Sequence, residues 1–176
     1  MKPDFLKNLF CLTVAVVLAC AAWEVVPAFR GVRAPWPVAV AAYYAVRREA
    51  GWGLAAALWC GFAQDGLDGA SRVFGAPFFA AMWFMCLVFV KKQMQDSARA
   101  TAFAAVALAL ALEAVRFVTL RFSDFPAAAT PGHLLARLVI TAPAAALAAF
   151  VTDFLSRRAD LAFGNIREEK VGYAGR

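Results

Sequence analysis

The sequence predicts an all-α, polytopic membrane protein: one integral membrane domain over residues 1–176, built from six transmembrane helices. Three observations carry this reading. Hydrophobic residues make up 63% of the chain and the mean hydropathy is +0.66, against the roughly 45–50% apolar content of a soluble domain. Apolar runs recur along the whole length. Charges gather between them, as in Arg47-Arg48-Glu49, Lys91-Lys92 and Arg157-Arg158.

The expected helices cover residues 8–27, 35–46, 51–65, 73–90, 100–119 and 134–153. The first follows a basic start and ends its apolar core with "VLAC" at Cys20, a pattern like a lipoprotein cleavage site. More apolar segments come after it, so it is expected to remain as an uncleaved helix. The second, "APWPVAVAAYYAVRR", opens on Pro35 and Pro37, which suit a first helical turn. It is short against the roughly 20 residues of a straight span; a span is the expectation, with a broken or re-entrant segment as alternatives. The third ends in the glycine-rich stretch "QDGLDGASRVFG", and the fourth comes closest to spanning length unaided. The first, fifth and sixth reach that length by taking in Glu24, then Glu113 with Arg116, then Arg137. Long arginine side chains near a helix end can reach toward the headgroups. Residues from Asp160 onward mix polar residues with glycine and are expected to form a loose tail.

With six crossings, the 18 Lys and Arg divide twelve to six. The richer side holds Lys2, Lys7, Arg47, Arg48, Lys91, Lys92, Arg99 and the basic tail, which places both termini in the cytoplasm. The net charge of +6 then matches anionic lipid and calls for no nucleic acid.

Carboxylates within apolar segments are costly unless paired or needed. Gly61 and Asp65 are four apart and share a helix face, just before Asp68 and the turn glycines Gly66, Gly69 and Gly75. For Asp65 the main reading is an anchor of that turn, accepting amides of the Gly66–Ser71 connection or pairing with Arg72. A partner-facing carboxylate and a solute or ion site are the alternatives. Glu113 and Arg116, three apart, are expected to pair, as are Asp153 and Arg157, four apart. Glu24 has Arg30 or Arg33 within reach. His133 is the sole histidine, and Cys11, Cys20, Cys60 and Cys86 lie singly in apolar runs, so no metal or other cofactor is expected. Ser71, Ser97, Ser123 and Ser156 lack a neighbouring base, which leaves a non-catalytic protein as the expectation.

From Pro35 to Lys92 the chain resembles the MreD family of rod shape-determining membrane proteins. The features are a proline before an apolar run, the basic pair Arg47-Arg48, then Gly61, Asp65, Gly69 and Gly75 in order, and a basic exit at Lys91-Lys92. Phe74 and the additional acid Asp68 depart from the family's pattern. The resemblance implies a fold similar to the membrane substrate-binding subunits of energy-coupling-factor vitamin transporters. It also implies a scaffold role in the bacterial inner membrane, with MreC as chief partner and RodA, its transpeptidase and MreB as further ones. A vitamin-binding transporter subunit is the other function such a fold would serve.

Overall fold

The computed structural model describes residues 3–29, 32–68, 75–90, 97–122 and 130–164. Among these, six α-helices form: α1 (Pro3–Val25), α2 (Trp36–Arg47), α3 (Ala50–Asp68), α4 (Gly75–Met85), α5 (Ala98–Arg121) and α6 (Pro131–Ala162). Helix α4 passes into a π-helical turn over Cys86–Val90.

Burial has helical periodicity on the long helices. On α1, Leu12, Val16, Ala19 and Trp23 face inward while Phe10, Val14, Val17 and Leu18 are exposed. Such a stripe is what a helix packed on one side produces. Helix α2 differs: every residue from Pro37 to Val46 is buried, and the helix packs against all five others. A helix that is apolar all round belongs in a core. Alanines make this enclosure possible, since Ala39 and Ala42 of α2 share a cluster with Ala105 of α5 and Ala149 of α6. Small side chains let helix backbones approach closely.

Among the described residues, only three helical stretches, Phe5–Val25, Ala98–Thr119 and Pro131–Ala162, are long and apolar enough to cross a membrane. The expectation of six transmembrane helices is therefore overturned. At about 1.5 Å per residue, the 12 residues of α2 reach about 18 Å, well short of a hydrocarbon core of about 30 Å. Surrounded by protein, α2 has no length requirement set by lipid. Helix α3 has 19 residues but carries Gln64, Asp65 and Asp68 within them, and Gly75–Val88 is a shorter apolar helix. What stands is a multi-helical, membrane-associated protein whose exposed apolar side chains, among them Phe103, Val139, Leu147 and Phe154, lie on the long helices.

Contacts between helices sort their ends. Phe5 meets Trp52, Phe10 meets Phe163, and Arg47 and Thr101 both meet Asp153. These join the starts of α1, α3 and α5 to the ends of α2 and α6, and define the Arg47 end of the bundle. Glu113 with Arg137, Asp65 with Gly75, and Trp23 with Arg33 define the opposite, Glu113 end. The chain's course through α6 also corrects the expected tail: the helix runs past residue 153 to Ala162, and Asp160 is among its buried residues.

This arrangement gives a labelling pattern. In a background with the four native cysteines replaced by alanine, Gly132→Cys and Ala162→Cys, at the two ends of α6, will react with an impermeant thiol reagent from opposite sides of the membrane. Gly51→Cys, at the joint of α2 and α3, will react from the same side as Ala162→Cys. Reaction of Gly51→Cys from the Gly132 side would refute the parallel packing of α2 and α6.

Candidate functional site

Among the described residues, three polar constellations lie within the helix bundle. The first stands at the end of α2, where Arg47 and Arg48 are consecutive and so point to different neighbours. Arg47 donates from Nε to Asp153 Oδ1 at 3.0 Å and from Nη2 to Oδ2 at 3.1 Å. This is the two-pronged geometry that suits guanidinium and carboxylate. Thr101 Oγ1 of α5 donates to Asp153 Oδ1 at 3.1 Å, so one carboxylate ties three helices. Arg48 donates to Asp160 Oδ1, and Tyr43, one helical turn before Arg47, donates its hydroxyl to Asp160 Oδ2 at 2.6 Å. The Arg48 guanidinium also lies over the Tyr44 ring, 5.9 Å from its centre.

The expected local pair of Asp153 with Arg157 is therefore replaced. Asp153 faces the core and is buried, while Arg157 is exposed. Asp160, assigned from sequence to a loose tail, is 1% exposed and the centre of a hydrogen-bonded network. A signal for it does exist in the sequence: Asp153 and Asp160 are seven residues apart, about two turns at 3.6 per turn, so one face of α6 presents two acids to two arginines.

At the opposite end Glu113 of α5 is the hub. Arg116 Nη1 donates to Glu113 Oε1 at 3.2 Å. Arg137 of α6 donates from Nε to Oε2 at 2.8 Å and from Nη2 to Oε1 at 3.1 Å. The sequence pairs Glu113 with Arg116, three residues on; it holds no sign of Arg137, which is 24 residues away. Glu24 meets Arg33 at 3.3 Å, with both side chains substantially exposed. Arg33 Nη1 donates as well to the Trp23 carbonyl at 3.2 Å.

The third constellation joins α3 to α4. Both carboxylate oxygens of Asp65 accept from the amide of Gly75 at 3.0 Å. That amide opens α4, where backbone N–H groups have no partner within the helix and the helix dipole favours a negative charge. The backbones of the two helices nearly touch here. A Cβ on Gly61 would lie 2.5 Å from the Ala76 Cα, and one on Gly75 would lie 2.6 Å from both the Gly61 carbonyl oxygen and Asp65 Oδ1. Asp65 thus meets the first amide of α4; the expected contacts with the Gly66–Ser71 connection and with Arg72 fall mostly on residues outside the described ones. Gly69, Ser71, Arg72, Lys91 and Lys92 lie outside the described residues, as do Arg30 and the side chain of Asp68.

Thr130 caps α6, accepting the His133 amide at 3.3 Å, so His133 sits in a first helical turn. Among the described residues there is no group of three or more His, Cys, Asp or Glu placed to hold a metal ion. The fold and these sites define a membrane-associated helix bundle tied by ion pairs between helices far apart in sequence. No family model, curated protein or solved structure matches the chain.

Two substitution sets test the geometry by thermal or denaturant unfolding in detergent. Gly61→Ala and Gly75→Ala will each lower stability and the yield of folded protein. Gly66→Ala, where a Cβ meets nothing within 4 Å, will be neutral or slightly stabilising because alanine favours a helix by up to about 1 kcal/mol over glycine. In the second set, Asp153→Leu removes the carboxylate that Arg47 grips with two donors and will cost roughly 3–5 kcal/mol, whereas the double variant Arg47→Met/Asp153→Leu will recover most of that loss.

Proposed function

We propose that this chain is a non-catalytic membrane scaffold of the bacterial cell-elongation machinery for peptidoglycan synthesis, with MreC as its chief partner. RodA, its transpeptidase and MreB are the further members of that assembly. The observation that carries the reading is the use made of Gly61, Asp65 and Gly75, the residues on which the family resemblance rests. They lock α3 against α4, and both oxygens of Asp65 are engaged by one backbone amide. A motif spent on a rigid joint suits a protein that holds a surface in shape for a partner. The inter-helix ion pairs at Asp153, Asp160 and Glu113 serve the same rigidity.

A vitamin-binding transporter subunit asks for aromatic rings gathered on an accessible pocket. Here Tyr43 and Tyr44 are 1% and 2% exposed within the core, and Trp36, Trp52 and Trp83 pack against it. That distribution favours the scaffold. In this reading the Arg47 end faces the cytoplasm of an inner-membrane protein. Its support is the exposed cations Lys7, Arg99, Arg157 and Arg158 at that end.

The test is co-purification. Detergent-extracted protein will retain the cognate MreC through affinity capture, and cells lacking the gene will lose rod shape. Asp65→Ala will weaken capture only in proportion to the loss of folded protein, since removing the acceptor of a buried amide costs roughly 1–3 kcal/mol. A stably folded Asp65→Ala protein that no longer captures MreC would reassign Asp65 to the interface. Failure to capture MreC, with a vitamin-sized ligand bound at micromolar affinity in calorimetry, would overturn the scaffold reading.

A further inference from the structure

Helix α6 has 32 residues, about 48 Å at about 1.5 Å per residue. It therefore extends beyond a hydrocarbon core of about 30 Å, and its end at the Arg47 side reaches the headgroup layer. An open groove of about 430 Å³ lies at that end. Its apolar part is formed by Phe150, Phe154 and Leu161 of α6 with Ala98 of α5, and its polar part by Arg157 and Arg158. Asp153 also borders it, but this carboxylate is already held by Arg47 and Thr101.

The order of these residues along α6 matters. Phe150 and Phe154, 48% and 55% exposed, are one turn apart on the side nearer the bilayer centre. Arg157 and Arg158, both exposed, follow toward water. The Arg158 guanidinium rests 4.3 Å from the centre of the Phe154 ring, which holds a cation at the apolar boundary. A molecule that complements this groove has a negative head, placed at headgroup depth, and an apolar tail directed into the bilayer.

We propose that the groove between the end of α6 and the start of α5 is a binding site for an acidic glycerophospholipid. Its phosphate is taken by Arg157 and Arg158, and the first part of an acyl chain lies along Phe150 and Phe154. Arginine is suited to this because its planar fork offers paired donors to phosphate oxygens. The site rests on the membrane association of the bundle and on its charge, and does not depend on which protein partner it serves.

The experiment uses the full chain in two nanodisc preparations, one of phosphatidylcholine alone and one containing phosphatidylglycerol, with native mass spectrometry of lipid retained on release. Phosphatidylglycerol will raise the unfolding temperature and will be retained in preference to phosphatidylcholine. In Arg157→Gln/Arg158→Gln that preference will fall about tenfold or more, because both guanidiniums that take the phosphate are gone. Arg121→Gln, an exposed arginine at the other end, will keep it. Phe154→Ala will reduce retention of the lipid and leave direct binding of glycerophosphoglycerol unaffected. Folding is checked by equal unfolding temperatures of the parent and variants in phosphatidylcholine; if the double variant fails this check, the single variants Arg157→Gln and Arg158→Gln replace it. Equal retention of the two lipids by the parent, or an undiminished preference in the arginine variants, would overturn the proposal. Glycerophosphoglycerol displacing the lipid completely at equal concentration would also overturn it, by showing that the tail has no part. Lipid-indifferent behaviour with loss of a captured acidic protein in the variants would assign the groove to a protein instead.

Discussion

The pairing of Arg47 and Arg48 with Asp153 and Asp160 is the constraint around which the bundle is arranged. Helix α2 is buried on all sides, yet its last residue Arg47 and its cap Arg48 carry positive charges, and a charge left alone in such surroundings is costly. Each arginine meets an acid on α6, and the acids are further satisfied by Thr101 and Tyr43. Desolvation offsets much of the attraction between such groups, so their main effect is to specify geometry. Two acids two turns apart, facing two adjacent arginines, admit one register of α2 against α6. The alanine contacts among α2, α5 and α6 are close enough to depend on that register.

Attachment is uneven around this centre. Helices α5 and α6 are linked at both ends, by Thr101 with Asp153 and by Glu113 with Arg137. Helices α3 and α4 are held by the backbone contact at Gly61 and Gly75. Helix α1 contributes Leu12, Val16 and Ala19 to the core, and its ion pair, Glu24 with Arg33, is exposed and so worth little. An apolar crevice of about 100 Å³ separates α1 from α6 along Phe10, Val14, Leu18 and Leu155. Local opening follows the least-tied element, which makes α1 the first helix to separate.

Much of this was legible in the residues and some was not, for identifiable reasons. Apolar runs located the helices, because burial and lipid contact select the same side chains. For that very reason they did not distinguish α2, enclosed by protein, from α1, α5 and α6, which are long enough to meet lipid across the bilayer. Helix count and span count therefore parted. Spacing within a helix identified Glu113 with Arg116, and the glycine pattern drew attention to Asp65. The same rule misdirected the reading of Asp153, since Arg157 stood at the favourable distance while the actual partner was 106 residues away. A carboxylate can be placed near its neighbours in sequence by geometry alone. Its choice of a distant arginine depends on how whole helices pack, which pair spacing does not encode.

The reach of these pairs has a consequence for how the protein is made. Arg48 and Asp160 are 112 residues apart, and translation at roughly 5–20 residues per second separates their synthesis by roughly 6–20 seconds. Through that interval the contacts that α6 makes with Arg47 and Arg48 cannot yet form. The ion pairs at the end of α2 are thus completed only after α6 is made, and a nascent chain halted before Asp160 lacks the carboxylate that meets both Arg48 and Tyr43.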